Sequence, residues 1–380
     1  MKRRMFGVRM SVLLMAALLF CVCGMSWAWE EKEETFSYKW LIEPKYERAF
    51  AYSEGLWPVK KDGLWGYVDS ADRVVVDFQY FGADPFRNGM AYVEVSENVW
   101  GLIDPKGRPV IAPQKGTRLV RDPLLGSKKD IRVSFRDAQG RYGFLDLSGK
   151  IRIPAVYSYA SPFEGNWTDV KSGDCWGVID RNGKSVIPIR EKYRFLACFN
   201  DYVAFETTEG LMGVMDRKER VIVPPQYKSI LPDNDGLLKV ETVEGKVGFM
   251  DATLRFVVEP RYAKDRYAKG SPVLLTPFYG GGLVFVEEDG MTKALDEKGE
   301  VAFEFPWILA EPLTGDEGGY VLRSRVTRRE NGLPYYFLVD KRGRWLLPPE
   351  FSGLTPSSHG IVAAAPEGLW GLLLLDEKTR

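Results

Sequence analysis

The sequence predicts an all-β protein built from tandem three-stranded meander repeats, which stack into a curved propeller-like or solenoid-like array. Three observations predict this fold class. A tryptophan-glycine motif recurs along the chain, the apolar runs are short or alternating, and glycine and proline interrupt them throughout. Recurrence at a period of about 20 to 50 residues is the signature of a repeat architecture, and short alternating runs are typical of strands rather than helices.

The repeat is clearest in three segments, Gly63–Asp69, Val99–Asp104 and Cys175–Asp180, which read GLWGYVD, VWGLID and CWGVID. Alignment on the tryptophan position gives nine units, with this position occupied by Trp65, Trp100, Tyr142, Trp176, Met212, Val247, Thr292, Tyr336 and Trp370. Because methionine and valine pack well but cannot stack on a sugar ring, we predict that these residues form the core of each repeat rather than a glycan-binding ladder.

Each unit predicts one tight hairpin. The alternating strand ends in aspartate, two or three polar residues follow, and glycine precedes the next strand, as at Gly107 and Gly183. The carboxylate can bond the turn amides, and glycine accepts the positive φ of such a turn. Where glycine is replaced, by Asp72, Glu219 and Leu254, we expect a looser turn. The second strand then runs into proline, which stops ladder pairing.

The motif Trp-Gly, two apolar residues and Asp, followed by a glycine turn and an Ile/Val-Pro strand, resembles the WG repeat, also called the KWG repeat, of many bacterial proteins. The resemblance covers about residues 38 to 376. It implies a β-repeat scaffold, often exported or on the cell surface, with no shared catalytic residues. Units lengthen between about residues 265 and 335, and insertions in repeat proteins often decorate a binding face.

The two ends of the array together make one complete unit. Residues 38–44 match the last strand of a unit, and residues 361–375 match only the first two. A split unit is how circular propellers join their ends, although propellers typically have four to eight four-stranded blades. An open superhelix with capping strands fits the same pattern, so the sequence leaves both arrangements open.

Residues 1–28 are predicted to be a signal peptide, with Lys2, Arg3 and Arg4 before an apolar run and small residues at Ser26 and Ala28. The remaining residues, 29–380, form a single β-repeat domain of about nine WG-type units, and no later segment is long enough to span a membrane. We therefore expect an exported protein of the periplasm, cell surface or extracellular space. There Cys175 and Cys198 could form a disulfide or stay as thiols.

Composition restricts the classes of function. Lysine and arginine total 52 and so do aspartate and glutamate, which argues against a nucleic-acid binder because such proteins carry a basic excess. His359 is the one histidine in the chain, so a multi-histidine metal site is ruled out and a Ser-His-Asp triad is disfavoured. We predict no catalytic residues, no metal and no cofactor.

Two residue sets are candidates for binding. A basic residue stands eight positions after the tryptophan position in seven units, at Arg73, Arg108, Lys150, Lys184, Arg220, Arg255 and Arg344. Stacked units would align these cations for an anionic glycan, but we favour the alternative that each one faces the aspartate of its own turn. Trp57, Trp167, Trp307 and Trp345 lie outside the repeat register and are candidates for an exposed platform.

The function that fits these features is a non-catalytic, exported scaffold that binds a macromolecule, either a protein or an anionic glycan, in the cell envelope or outside the cell. Repeat arrays present long surfaces that suit extended partners. The alternative is an envelope carbohydrate hydrolase on the same scaffold, because a close carboxylate pair cannot be recognised from spacing alone.

Overall fold

The computed structural model describes residues 6–9, 35–114, 116–121, 131–163, 165–232, 237–263, 273–274, 282–288, 291–296, 298–306, 310–316, 319–328, 334–340, 342–356, 361–366 and 368–375. These residues form a β-propeller of nine antiparallel sheets, or blades, and none of them is helical. Each blade has four strands, so the predicted three-stranded unit is wrong by one strand. In blades 1 to 4 and 7 the first strand is only two residues long, too short to show alternation in a sequence.

The strands of the first five blades follow one another along the chain without interruption. Those of blades 1 and 2 are Arg48–Ala49, Trp57–Lys61, Leu64–Val68 and Val74–Tyr80, then Gly82–Ala83, Ala91–Ser96, Val99–Ile103 and Pro109–Ile111. Those of blades 3 and 4 are Arg118–Leu119, Val133–Arg136, Tyr142–Leu145 and Ile151–Tyr157, then Tyr159–Ala160, Trp167–Ser172, Cys175–Asp180 and Ser185–Arg190. Those of blade 5 are Phe195–Phe199, Tyr202–Glu206, Met212–Asp216 and Val221–Tyr227.

The last four blades complete the ring. The strands of blades 6 and 7 are Ser229–Pro232, Leu238–Glu241, Lys246–Met250 and Phe256–Ala263, then Val273–Leu274, Val284–Glu288, Met291–Leu295 and Val301–Pro306. Those of blade 8 are Ala310–Asp316, Gly319–Arg328, Pro334–Val339 and Trp345–Phe351. Blade 9 consists of Gly353–Pro356, Ile361–Ala365, Trp370–Leu375 and the N-terminal strand Thr35–Tyr46.

The N-terminal strand closes the ring. Thr35–Tyr46 pairs antiparallel with Trp370–Leu375, so of the two arrangements that the sequence leaves open the structure has the circular one. The apolar core lies between the blades, in nine clusters that each join two neighbours. The cluster between blades 9 and 1 packs Ile42 and Leu372 against Trp57 and Val59.

Two sheets extend beyond four strands. A short strand, Phe6–Arg9, pairs with residues 35–38 of the closing strand and lies within the predicted signal peptide. Blades 6 and 7 are linked by a single parallel pair, Ala263 with Val273. The other strand pairs within the blades are antiparallel.

The glycine of the Trp-Gly motif lies under an irregularity of the fourth strand. In blade 6, Val247 pairs with Tyr262 and Phe249 with Val258, so three residues of the fourth strand oppose Gly248 alone. A Cβ atom on Gly248 would lie 2.4 Å from the Val258 carbonyl oxygen and 2.6 Å from the Pro260 nitrogen. A side chain on Gly248 would therefore clash with the backbone that crosses directly over it.

Blades 7 and 8 lack this glycine and show two different outcomes. In blade 7, Lys293 takes its place and pairs with Glu304 in an uninterrupted ladder from Thr292 to Ala294. The irregularity opposite the glycine of the other blades is thus absent at that point. In blade 8, Phe337 takes its place and the irregularity is kept.

The aspartate turns form as predicted between the third and fourth strands. In blade 2, Asp104 Oδ1 accepts hydrogen bonds from the backbone N–H groups of Lys106 and Arg108, at 2.9 and 3.0 Å. The expected loosening at Asp72, Glu219 and Leu254 is wrong. Their φ angles are 65°, 60° and 64°, and each donates the turn hydrogen bond at 3.0 Å. A non-glycine residue can adopt this left-handed conformation at a cost of about 1 to 2 kcal/mol.

The alternating strand directions give the ring two distinct faces. The first-to-second loops and the aspartate turns, such as 69–73, 104–108 and 216–220, lie at one end of every blade, which we name the turn face. The second-to-third hairpins, such as 61–64 and 242–246, lie at the other end, which we name the hairpin face.

Candidate functional site

A cleft of about 300 Å³ opens where blades 4, 5 and 6 meet. Its lining consists of Ser161, Pro162, Trp167, Asp169, Phe195, Ala197, Cys198, Leu231 and Pro232, and we name it the three-blade cleft. Most of these residues come from the first strand of each blade or from the loop that follows it. Because these loops belong to the turn face, the cleft lies on that side of the ring.

The repeat itself builds the cleft. Strand register makes Ala160, Leu196 and Ile230 equivalent positions of blades 4, 5 and 6. The next two positions of each blade therefore line the cleft together, as Ser161 with Ala197 and Leu231, and as Pro162 with Cys198 and Pro232. The neighbouring blades supply one framework, and the side chains at these positions give this cleft its individual shape.

Asp169 is a buried carboxylate at the base of the cleft. Its side chain is on the second strand of blade 4 and the residue is 3% exposed. Oδ2 accepts a hydrogen bond from Ser161 Oγ at 2.7 Å, and Oδ1 accepts one from the Cys198 backbone N–H at 3.0 Å. A buried carboxylate is stable only when hydrogen-bonded. This arrangement indicates that Asp169 ties blade 4 to blade 5 and fixes the wall of the cleft.

Trp167 forms the rim of the cleft. Its indole Nε1 donates to the Asn200 carbonyl oxygen at 3.0 Å, so the ring is held across the boundary between blades 4 and 5. The Arg217 guanidinium carbon lies 3.9 Å from the ring centroid, a close cation–π contact. Arg217 also pairs with Asp201, with Nη2 and Oδ1 3.3 Å apart. One face of the indole is therefore covered by a cation.

The walls of the cleft are mainly apolar. Phe195 is half-buried, Leu231 is 41% exposed, and prolines flank the opening on two sides. A concave apolar surface with a few fixed polar groups is the usual composition of a binding pocket. The geometry suits an apolar side chain of a partner better than it suits proton transfer, since the oxygens of Asp169 already accept hydrogen bonds.

Four of the predicted basic residues pair with the aspartate of their own turn, at an N–O distance of 2.6 Å: Arg73 with Asp69, Arg108 with Asp104, Arg220 with Asp216 and Arg344 with Asp340. At Asp146 the cation is Arg152 instead of Lys150. The backbone N–H groups of Lys184 and Arg255 donate to Asp180 and Asp251 at 2.9 and 3.1 Å. Such exposed pairs contribute at most about 1 kcal/mol each, and they reduce the positive field that an anionic glycan would meet.

The predicted aromatic platform does not form around Trp57. This residue is completely buried, and its Nε1 donates to the Phe50 carbonyl oxygen at 2.9 Å. It is a core residue because the second strand places it between blades 9 and 1. Trp167 lies at the cleft, Trp345 stacks on Phe337 with ring centroids 4.7 Å apart, and Trp307 lies outside the described residues, as does His359.

The residues of the tryptophan position lie in or beside the core. Five of them are buried, Trp65, Tyr142, Trp176, Met212 and Val247, and so is Thr292. Trp100, Tyr336 and Trp370 are partly buried and pack against the core clusters. Cys175 and Cys198 lie in different blades and do not form a disulfide.

The residue opposite the tryptophan position follows the chemistry of that position. In blades 1, 3 and 4 an aromatic residue faces a cation: Lys60 opposes Trp65, Arg136 opposes Tyr142 and Lys171 opposes Trp176. In blade 9 the register places the uncharged Ala365 opposite Trp370. Non-aromatic residues face glutamates: Glu206 opposes Met212, Glu241 opposes Val247 and Glu287 opposes Thr292. Glu94 opposes Trp100 and breaks the rule, but Arg121 from blade 3 lies 4.4 Å from that ring instead.

The sequence did not indicate Asp169, Phe195 or Leu231 as site residues. The available signal was weak, because Asp169 lies in a strand, WTDVKS, that contains three other polar residues. The described residues contain no cluster of potential metal ligands. They also include no helix with the length and apolar character to cross a bilayer.

Solved structures provide distant likenesses. The computationally designed Ika8 protein matches at 13% identity, with 88% of this chain and 98% of that chain covered and a TM-score of 0.44. BamB from Moraxella catarrhalis matches at 10% identity, with 88% and 100% covered and a TM-score of 0.38. Apo AztD from Citrobacter koseri matches at 12% identity, with 82% and 94% covered and a TM-score of 0.41. No curated protein matches the sequence.

The repeat family is identified by sequence. The family described as "WG containing repeat" matches residues 39–65, 65–98, 100–114, 142–174, 176–196, 212–246 and 336–370. These segments cover more than half of the chain and coincide with the Trp-Gly units on which the blades are built. The chain therefore belongs to the WG-repeat family.

Proposed function

We propose that this protein is an exported, non-catalytic propeller scaffold that binds a protein partner in the cell envelope or outside the cell. The observation that carries the proposal is the three-blade cleft. Trp167, Phe195 and Leu231 offer apolar surface at a position where three blades converge, and tryptophan is among the residues that most often dominate binding energy at protein interfaces.

A protein partner is favoured over an anionic glycan by the state of the basic residues. Arg73, Arg108, Arg220 and Arg344 are each paired with an aspartate, so four of the seven predicted cations are opposed by a carboxylate. A binding role is favoured over hydrolysis by Asp169, because its hydrogen bonds to Ser161 and Cys198 suit a positioning residue. Export is supported by the predicted signal peptide at residues 1–28.

Site-specific photocrosslinking tests the binding role. A photoreactive amino acid at Leu231 would lie in the cleft, and the same amino acid at Val243, which is 57% exposed on the hairpin face, is the matched control. We expect Leu231 to capture a discrete protein in cells and Val243 to capture none. Equal capture at both positions, or capture abolished by glycan digestion, would contradict the proposal.

Two further measurements test export and the absence of hydrolase activity. Sequencing of the N-terminus of the protein from cell-envelope and culture fractions should find Trp29 as the first residue. Labelled fragments should be released from envelope polysaccharides at the same background rate with the wild type and with Asp169→Asn. Loss of a measurable release activity in this variant, with an unchanged unfolding temperature, would indicate the hydrolase instead.

A further inference from the structure

The outer edge of blade 1 differs from the other eight outer edges. Each of the other fourth strands contains a proline, at Pro109, Pro154, Pro188, Pro224, Pro260, Pro306, Pro348 and Pro44. Proline lacks an N–H group and is one of the means by which proteins prevent edge strands from pairing with another chain. The fourth strand of blade 1, Val74–Tyr80, reads VVVDFQY and contains none.

This edge also exposes apolar side chains. The strand departs from regular pairing at Val75 and again over Asp77–Gln79, opposite Gly66. Val74 and Val75 are 51% and 41% exposed. Among the described strands, only Leu64–Val68 pairs with it. An exposed strand edge rich in β-branched residues is a template for another strand.

The charges along the edge are self-complementary. Arg73 and Asp77 flank the three valines, so that an antiparallel copy centred on Val75 places each Arg73 opposite the other copy's Asp77. The Arg73 side chain is 80% exposed although it pairs with Asp69. Asp77 is exposed and makes no ion pair with any described residue. Opposite charges directly across a strand pair stabilise it, and like charges destabilise it.

We propose that two copies of this chain associate through the blade 1 edge, strand against antiparallel strand, in a two-fold symmetric dimer. A two-fold interface needs one surface that is complementary to itself, and the segment Arg73–Asp77 meets this requirement in the order of its charges. The outer edges of blades 6 and 9 also carry a basic residue four positions before an acidic one, Arg255 with Glu259 and Lys39 with Glu43. In both edges a proline follows the acidic residue directly. The dimer would leave the turn face of both rings accessible.

A proline substitution gives the first test. Asp77→Pro should be compatible with the fold, because Pro154, Pro188, Pro224 and Pro348 occupy the equivalent position of blades 3, 4, 5 and 8. We expect sedimentation velocity at about 50 µM, well above a low-micromolar Kd, to show a dimer for the wild type and a monomer for Asp77→Pro. The matched control is Glu259→Pro in blade 6, which should stay dimeric because Pro260 already blocks that edge.

Charge exchange gives the second test. Asp77→Arg and Arg73→Glu each place like charges opposite one another and should be monomeric when alone. Mixed together, they restore both opposite-charge pairs, and a heterodimer should form. Unfolding temperatures of each variant show whether the fold is intact. A wild type that is monomeric at this concentration, or a dimer that persists in Asp77→Pro, overturns the proposal, as does failure of the mixed variants to associate.

Discussion

At the scale of the residue, the Trp-Gly motif combines two separate requirements. The tryptophan position fills the space between blades, whereas the glycine allows the fourth strand to cross over the third. Trp176 illustrates the first requirement, since it is 7% exposed and contacts Tyr159 and Phe195 through its ring, at centroid distances of 5.6 and 5.0 Å. The two requirements predict different consequences for mutation.

Truncation of Trp176 should create a cavity between blades 4 and 5. We expect Trp176→Ala to lower the free energy of unfolding by about 3 to 5 kcal/mol, the usual range for emptying a buried aromatic site. Denaturant unfolding followed by tryptophan fluorescence and circular dichroism measures the change. Val243→Ala, at an exposed position, should change the free energy by less than about 0.5 kcal/mol. Equal effects of the two variants would contradict the buried position of Trp176.

Substitution of Gly248 should act through overpacking. A Cβ atom there meets backbone of Val258 and Pro260, which cannot move aside as a flexible side chain can. We expect Gly248→Ala to destabilise the protein by about 1 to 3 kcal/mol, measured by denaturant unfolding. Lys293→Ala in blade 7, where the ladder is regular, should have a smaller effect, and a larger one would refute this explanation of the motif.

At the scale of the element, the aspartate turns are the main acid-sensitive feature. The backbone N–H groups of Arg73 and Arg220 lower the pKa of Asp69 and Asp216 respectively, and the Ser148 hydroxyl together with backbone donors and Arg152 lowers the pKa of Asp146 to about 2. A carboxylate whose pKa is lower in the folded than in the unfolded state stabilises the fold above its unfolded pKa, near 4, and loses this effect as the pH falls through its folded pKa.

We therefore expect the unfolding temperature to fall steeply between pH about 4 and about 2. The pKa of Glu350 shifts in the opposite direction, because burial raises it although the hydrogen bond from the Tyr38 hydroxyl lowers it. Its contribution is present below its unfolded pKa and disappears as the pH rises through the folded pKa. Glu350→Gln should accordingly leave the loss below pH about 4 unchanged, whereas Asp146→Asn should reduce it. Thermal melts across this range test both expectations.

The aspartate turns were predictable from the sequence, but the strand count and the cleft were not. Asp104 and Gly107 carry their turn chemistry within a few residues, so local sequence was sufficient. The first strands were missed because pairs such as Gly82–Ala83 are defined only by their partners in Ala91–Ser96. Trp57 was assigned to a surface because it lies outside the repeat register. Its burial depends on blade 9, where the nearby closing strand packs with Ala363 and Leu372, residues at the far end of the chain.

At the scale of the whole molecule, stability depends on closure of the ring. No blade covers both of its own faces, and each apolar cluster needs two blades. The clusters on either side of blade 9 include residues of the closing strand, among them Ile42 and Tyr46 next to blade 1 and Tyr38 and Trp40 next to blade 8. Loss of this strand would therefore uncover two interfaces, and we expect the ring to unfold cooperatively.

A disulfide across the closure tests this dependence. Lys39 and Leu374 are directly opposite in the antiparallel pair, where Cα separations of about 4.5 to 5.5 Å are compatible with a disulfide. Oxidised Lys39→Cys/Leu374→Cys should be more stable than the same reduced variant by about 2 to 4 kcal/mol, because the bond restricts the unfolded chain. Denaturant unfolding with and without reductant measures the difference, and Lys39→Cys alone should show none. If the two cysteines bridge without raising the unfolding midpoint, the stability of the ring does not depend on the closing strand as proposed.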